Sequence, residues 1–175
     1  MGKTFFTADT HFGHEAVLEF CNRPFDNIEE MNRKLINNIN SRVKADDTLF
    51  VVGDFAFKDT REYQNRIRCN NVVYLLGNHD HNNGLKSKIK SIVLRAGGEE
   101  IFLTHNPQDT QPDFGLNLCG HVHSAWTAFE MNGSILINVG VDVWKYAPAE
   151  LTEVLNLFDK SKKQITEYGK PKVSK

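Results

Sequence analysis

The stretch VVYLLGNHDH, residues 72–81, passes from an apolar run directly into an amide, two imidazoles and a carboxylate. A short apolar run bounded by glycine reads as a buried strand, so Asn78, His79, Asp80 and His81 stand where a strand gives way to a loop. One such histidine is ordinary turn chemistry. The junction recurs along the chain, however. Runs at Thr4–Ala8, Leu49–Val52, Ile101–Leu103 and Ile135–Val139 read as further strands, and short polar blocks accompany them: DTHFGH at 9–14, GDF at 53–55, THN at 104–106 and CGHVH at 119–123. All seven histidines fall in these blocks or in GNHDH. Strand ends of an α/β sheet are where loops converge on one side of a rigid frame, so a single shared site accounts for the pattern.

The remaining sequence bounds the frame. With 175 residues and 40% hydrophobic content, one well-buried core is expected, a single domain over 1–160, followed by a Lys-rich, solvated or frayed tail over 161–175. Ile28, Met31, Leu35, Ile39 and Val43 recur at spacings of three and four, which predicts an amphipathic helix over 27–44 with Asp26 as its cap and Glu29 three residues on. A second helix is expected over 60–68. Asn132-Gly133 between apolar stretches predicts a hairpin, and ELTEVLNLF at 150–158, with its partial alternation, reads as a strand. A net charge of -1 argues against wholesale binding to a polyanion. Cys21, Cys69 and Cys119 are odd in number and widely spaced, which fits neither a disulfide framework nor a thiolate zinc site and suits a reducing, cytoplasmic setting. No window approaches the roughly 18 apolar residues of a membrane span, so no membrane partner is expected.

The clustered residues select a ligand chemistry. Imidazole and carboxylate without thiolate suit first-row divalent ions such as Mn, Fe, Ni or Zn. Asp9 with His11, and His121 with His123, are two residues apart, and on an extended backbone such pairs point to the same side. Glycines precede Asp54, Asn78 and His121, allowing sharp turns or close packing at each strand exit. Asn138, Asp142 and Trp144 read as core and turn residues of the closing strands.

The ordered set DTH at 9–11, GD at 53–54, GNHD at 77–80, His105 and GHVH at 120–123 resembles the calcineurin-like metallophosphoesterase superfamily, and more its small uncapped bacterial and phage-type members than the protein phosphatases. His105 is followed by NPQ where many members carry Gly, so its place rests on order. The resemblance implies a four-layer α/β/β/α sandwich, two mixed sheets flanked by helices, with two divalent transition-metal ions at one edge. Manganese is the first expectation, with iron, nickel or zinc as alternatives. Carried over, Asp9, His11, Asp54 and His123 would hold one ion and Asp54, Asn78, His105 and His121 the other, with His79 assisting the leaving group and Asp80 holding its ring. Two such ions outweigh the two carboxylates, so an anionic phosphoester is attracted. A phosphodiester derived from a nucleotide or nucleic acid is the favoured substrate, and a non-catalytic metal-binding scaffold of the same fold is the alternative. His14 reads as a substrate contact or a helix-terminal residue. Arg23 in CNRPF reads as a bidentate fork for a phosphate or as a structural residue.

Overall fold

Along Thr4–Thr7 (β1) and Thr48–Val52 (β2), successive side chains enter two different apolar cores: Phe5, Leu49 and Val51 join one, Phe6, Phe50 and Val52 the other. Strand residues alternate between faces, so this alternation means a sheet buried on both sides. The computed structural model describes residues 2–168. The remaining elements are α1 (Val17–Phe20), α2 (Ile28–Arg42), α3 (Thr60–Arg66), β3 (Asn71–Leu75), β4 (Ser91–Ala96), β5 (Glu99–Thr104), β6 (Leu116–Cys119), β7 (Ala128–Met131), β8 (Ser134–Asn138), β9 (Ala149–Glu150) and α4 (Leu151–Tyr168).

One sheet has the order β3-β2-β1-β9, with β1, β2 and β3 parallel and β9 antiparallel. The other has the order β4-β5-β6-β8-β7, in which β5, β6 and β8 are parallel and the outer strands antiparallel. Val17, Met31, Leu35, Ile39 and Tyr63 bring α1, α2 and α3 onto the first core, while Leu103, Leu118 and Ile137 of the second sheet share the other core with Phe6 and Val52. The expected pair of mixed sheets flanked by helices is therefore present.

Several local readings shift. Asn27, not Asp26, caps α2: its side chain accepts from the Glu30 amide at 2.9 Å, and Glu30 reaches back to the Asp26 amide at 2.8 Å. Asn caps as well as Asp, and the reciprocal pair moves by one residue. The segment read as a strand at 150–158 is mostly helix, because Leu151, Val154, Leu155 and Phe158 stand at helical spacing and lodge against the intersheet core. That helix crosses the expected tail boundary at 161 and continues to Tyr168; the rest of the tail lies outside the described residues. The hairpin holds, with Asn132 at φ 54° and Gly133 at φ 83° joining β7 to β8, the mirror-image turn that suits twisted strands. No helix among the described residues is long and apolar enough to cross a membrane.

Candidate metal centre

The parallel strands all deliver their carboxyl ends to one rim. From β1 the chain continues into Asp9 and His11, from β2 into Asp54, from β3 into Asn78 and His79, from β5 into His105, from β6 into His121 and His123, and from β8 into Asp142. Backbone bonds lock neighbouring exits together: the Asp9 amide donates to the Gly53 carbonyl at 3.1 Å and the His11 amide to the Asp54 carbonyl at 3.0 Å. Gly53 sits at φ +84°, and a Cβ there would collide with the His105 ring; one on Gly77 would strike the Asp54 carboxylate. Glycine is needed at both because another loop passes too close.

The extended geometry expected for DTH and HVH is absent. Asp9, His11, Asp54, His121 and His123 all have positive φ, between 48° and 71°, half of the ten non-glycine residues in that region among the described residues. Each such conformation is held at a cost of about 1–3 kcal/mol, and such outliers gather at functional sites. Asp9 and His11 still share a centre but His121 and His123 do not, which departs from their two-residue spacing and agrees with the assignment that the resemblance implies. Asp9, His11 and His123 converge on one, Asp54, His105 and His121 on another, with ligand atoms in each group within 4.8 Å of one another. Asp54 touches both, since its Oδ2 lies 3.6 Å from His11 Nε2 and 3.3 Å from His105 Nε2. Asn78 Oδ1 is 3.1 Å from His105 Nε2 and 2.9 Å from His121 Nδ1.

Two rings are aimed by partners behind them. The Val52 carbonyl can only accept, so His105 Nδ1 donates to it at 2.9 Å, leaving Nε2 for the cluster. His123 Nδ1 donates to Asp142 at 3.0 Å. This carboxylate or carbonyl behind an imidazole is the usual support of a metal-binding histidine. Asp142, expected as a core or turn residue, has a buried side chain that Arg23 holds bidentately at 2.8 and 2.9 Å.

Charge in the cluster is frustrated without a cation. Burial pushes the Asp9 carboxyl up to about 6, against the pull of His105 and His123. Burial also takes His11 down to about 3, opposed by Asp54. Burial works against charge on Asp54 and His105 as well, but their mutual hydrogen bond prevails, holding Asp54 below the usual carboxylate range and His105 up at about 9. His123, likewise resisted by burial, rises to about 10 on its bond to Asp142. His11 Nε2 is buried without a hydrogen-bond partner, one of two such side-chain atoms among the described residues. An unpaired buried lone pair costs about 1–3 kcal/mol, and a divalent cation would satisfy it, so the residues fit the expected ions. Cys21 also approaches His123 and Asp142, but that carboxylate is already neutralised by the Arg23 guanidinium, which would repel a further cation.

The other site expectations fare differently. His79 is exposed at the rim, its ring centroid 5.3 Å from that of His11. Asp80 does not hold that ring. Its carboxylate is buried and accepts from the amides of Asp54 at 2.7 Å, Gly77 at 2.9 Å and Phe55 at 3.1 Å, and from Asn83 at 2.9 Å. It staples two strand exits together, and Asp54 answers by accepting from the His79 amide at 2.9 Å. His14 lies beside His11, Nδ1 to Nδ1 at 3.5 Å, which keeps it next to the cluster. Arg23 is not available as a fork for a phosphate: it is buried, and its donors also engage the carbonyls of Asp9 at 2.6 Å and Thr10 at 3.2 Å. His81 is exposed.

The frame and the chain both have relatives. An uncharacterized protein of Methanocaldococcus jannaschii is 33% identical over 171 residues, covering 93% of this chain and 94% of that one. The Gene 66 protein of Mycobacterium phage L5 is 26% identical, covering 82% and 88%. A protein of unknown function from Aquifex aeolicus shares the fold at a TM-score of 0.69 and 22% identity, over 90% of this chain and 100% of that one. Residues 3–156 match the calcineurin-like phosphoesterase superfamily domain. Since that span takes in every loop at the rim, the match reaches the site as well as the frame, and the chain belongs to the calcineurin-like phosphoesterase superfamily of metal-dependent hydrolases.

Proposed function

We propose that the protein is a dinuclear phosphodiesterase in which Asp9, His11 and His123 hold one divalent ion, Asn78, His105 and His121 hold a second, and Asp54 bridges them. The observation that carries this reading is the position of Asp54 Oδ2 between His11 and His105. When bound, two such ions lower the pKa of a shared water and stabilise charge on the phosphoryl oxygens. The chain supplies the rest. Asp80 and Gly77 fix the exits that carry Asp54 and Asn78, and the Val52 carbonyl and Asp142 aim His105 and His123. His79, exposed beside His11, would give a proton to the departing oxygen as general acid.

A diester is favoured over a monoester because Asn78, His79 and His121 are exposed, leaving the rim open for a second ester arm. Manganese is the proposed ion, on the oxygen and imidazole donor set. Free cysteines support a reducing, cytoplasmic setting. With Mn added, purified protein should hydrolyse bis(p-nitrophenyl) phosphate faster than p-nitrophenyl phosphate and lose that activity to a chelator. Metal bound in stoichiometric amount without turnover on either compound would favour the scaffold alternative.

A further inference from the structure

Two phenylalanines beside the metal cluster stay out in solvent. Phe20, at the end of α1, is 56% exposed and Phe57 is 50% exposed. Exposed apolar residues scattered singly need no explanation, but these two flank one imidazole. His14 stacks on Phe57, centroids 4.4 Å apart and planes 9° off parallel, and lies 5.6 Å from the Phe20 ring. Phe20 in turn presents its ring within 5.7 Å of His123 and 6.4 Å of His11, edge to face with both. A continuous wall of rings therefore runs from the candidate ligands outward.

The groove beyond this wall, lined by His14 and Phe57 with Phe20 standing outside it, has a volume of about 1100 Å³, large enough for a small-molecule group. Its lining carries four glutamates against Arg33, Lys58 and Arg66, so it does not favour a further phosphate or a polynucleotide strand. What it suits is a flat, uncharged group attached to the phosphate. Leu18 and Ile28 also line the groove, but the large apolar groups left exposed beside the metal cluster are Phe20 and Phe57, and ring faces and edges match another ring.

Resting on the phosphodiesterase reading above, we infer that Phe20, His14 and Phe57 form a stacking platform for the nucleobase of a small nucleotidyl phosphodiester. Base stacking on an aromatic side chain is sequence-tolerant, so the platform selects for a base without selecting which one.

The test is a selectivity ratio. With Mn, kcat/KM is measured for thymidine 5′-(p-nitrophenyl) phosphate and for methyl p-nitrophenyl phosphate, which share a leaving group and differ in the other arm. The wild type should prefer the nucleotide ester by about tenfold or more, and Phe20→Ala and Phe57→Ala should each reduce the ratio severalfold to about tenfold. Trp at either position should keep the ratio and Leu should not. In parallel, calorimetry compares thymidine 5′-monophosphate with inorganic phosphate: the nucleotide should bind the wild type more tightly, and that advantage should shrink in the Ala variants. A ratio near one in the wild type, a Leu variant that keeps the preference, or a nucleotide that binds no better than phosphate overturns the platform while leaving the esterase intact. No turnover on any phosphoester, together with ring-dependent nucleotide binding, overturns the phosphodiesterase reading and leaves the platform standing. An oligonucleotide cleaved with higher kcat/KM than the mononucleotide ester overturns the assignment to small substrates.

Discussion

Asp80 and His79 are adjacent in sequence and do opposite work. Asp80 is buried with both carboxylate oxygens taken by four donors, whereas His79 is exposed beside His11 and gives only its backbone amide to Asp54. His79→Ala should therefore leave metal content and folding unchanged while lowering kcat by about 10² to 10⁴-fold, the scale of general acid–base assistance. Wild-type turnover in that variant, read by steady-state kinetics, removes the proposed role. Asp80→Asn should act through stability instead. An amide has one accepting oxygen, so at least one of the amides of Asp54, Gly77 and Phe55 loses its partner, at about 1–3 kcal/mol for each group left unpaired. Urea unfolding that matches the wild type would show that the staple contributes nothing. At this scale the chemistry-bearing residues were legible because histidines crowd strand ends, and Asn78, His105, His121 and His123 all stand at the rim. The partners of Asp80 were not, since Asp54 and Phe55 lie more than twenty residues away and only the fold brings them together.

Between elements, the Arg23–Asp142–His123 chain ties the loop after α1, the turn after β8 and the loop after β6 into one unit. The chain is hidden in the sequence: Arg23 and Asp142 are 119 positions apart, and alone Arg23 reads as a phosphate fork or a structural residue and Asp142 as a core or turn residue. Asp142→Asn should weaken Mn affinity about 10 to 100-fold, because the His123 ring loses its charged support. The same change leaves the buried Arg23 charge without its counter-ion, which typically costs about 3–5 kcal/mol. Mn titration calorimetry and chemical denaturation read the two effects separately, and unchanged values in both would remove the chain's importance. Helix α2 was legible because its apolar stripe repeats cleanly at three and four. The segment 150–158 was not, since LTEVLNLF satisfies both a loose alternation and a helical stripe, and packing against the intersheet core decided between them. Edge strand β4 is not legible in the sequence because its residues alternate between half-buried and exposed and so never form a fully apolar run.

For the molecule as a whole, protons occupy the place of the cations when no metal is bound. Asp9, His105 and His123 all bind a proton more tightly folded than unfolded: their values rise from 3.8 to about 6, from 6.5 to about 9 and from 6.5 to about 10. Stability drawn from a raised group is complete below its ordinary value and is lost as pH climbs through the raised one. His11 runs the other way, from 6.5 down to about 3, so its contribution grows between those values and partly offsets the loss from Asp9. Above pH 6.5 nothing in the cluster offsets the two raised histidines, and the metal-free protein should lose melting temperature steadily from about pH 6.5 to 10. Added Mn must displace those same protons, so its binding tightens by mass action as the proton concentration falls, and a ligand that binds only the folded state stabilises it in proportion to the logarithm of its affinity. The Mn-induced rise in Tm should therefore be small at pH 5 and large at pH 8. Thermal melts with chelator and with Mn across that range provide the check. An Mn effect equal at both pH values, or a metal-free Tm that stays flat above pH 7, would mean that the cluster does not exchange protons for cations.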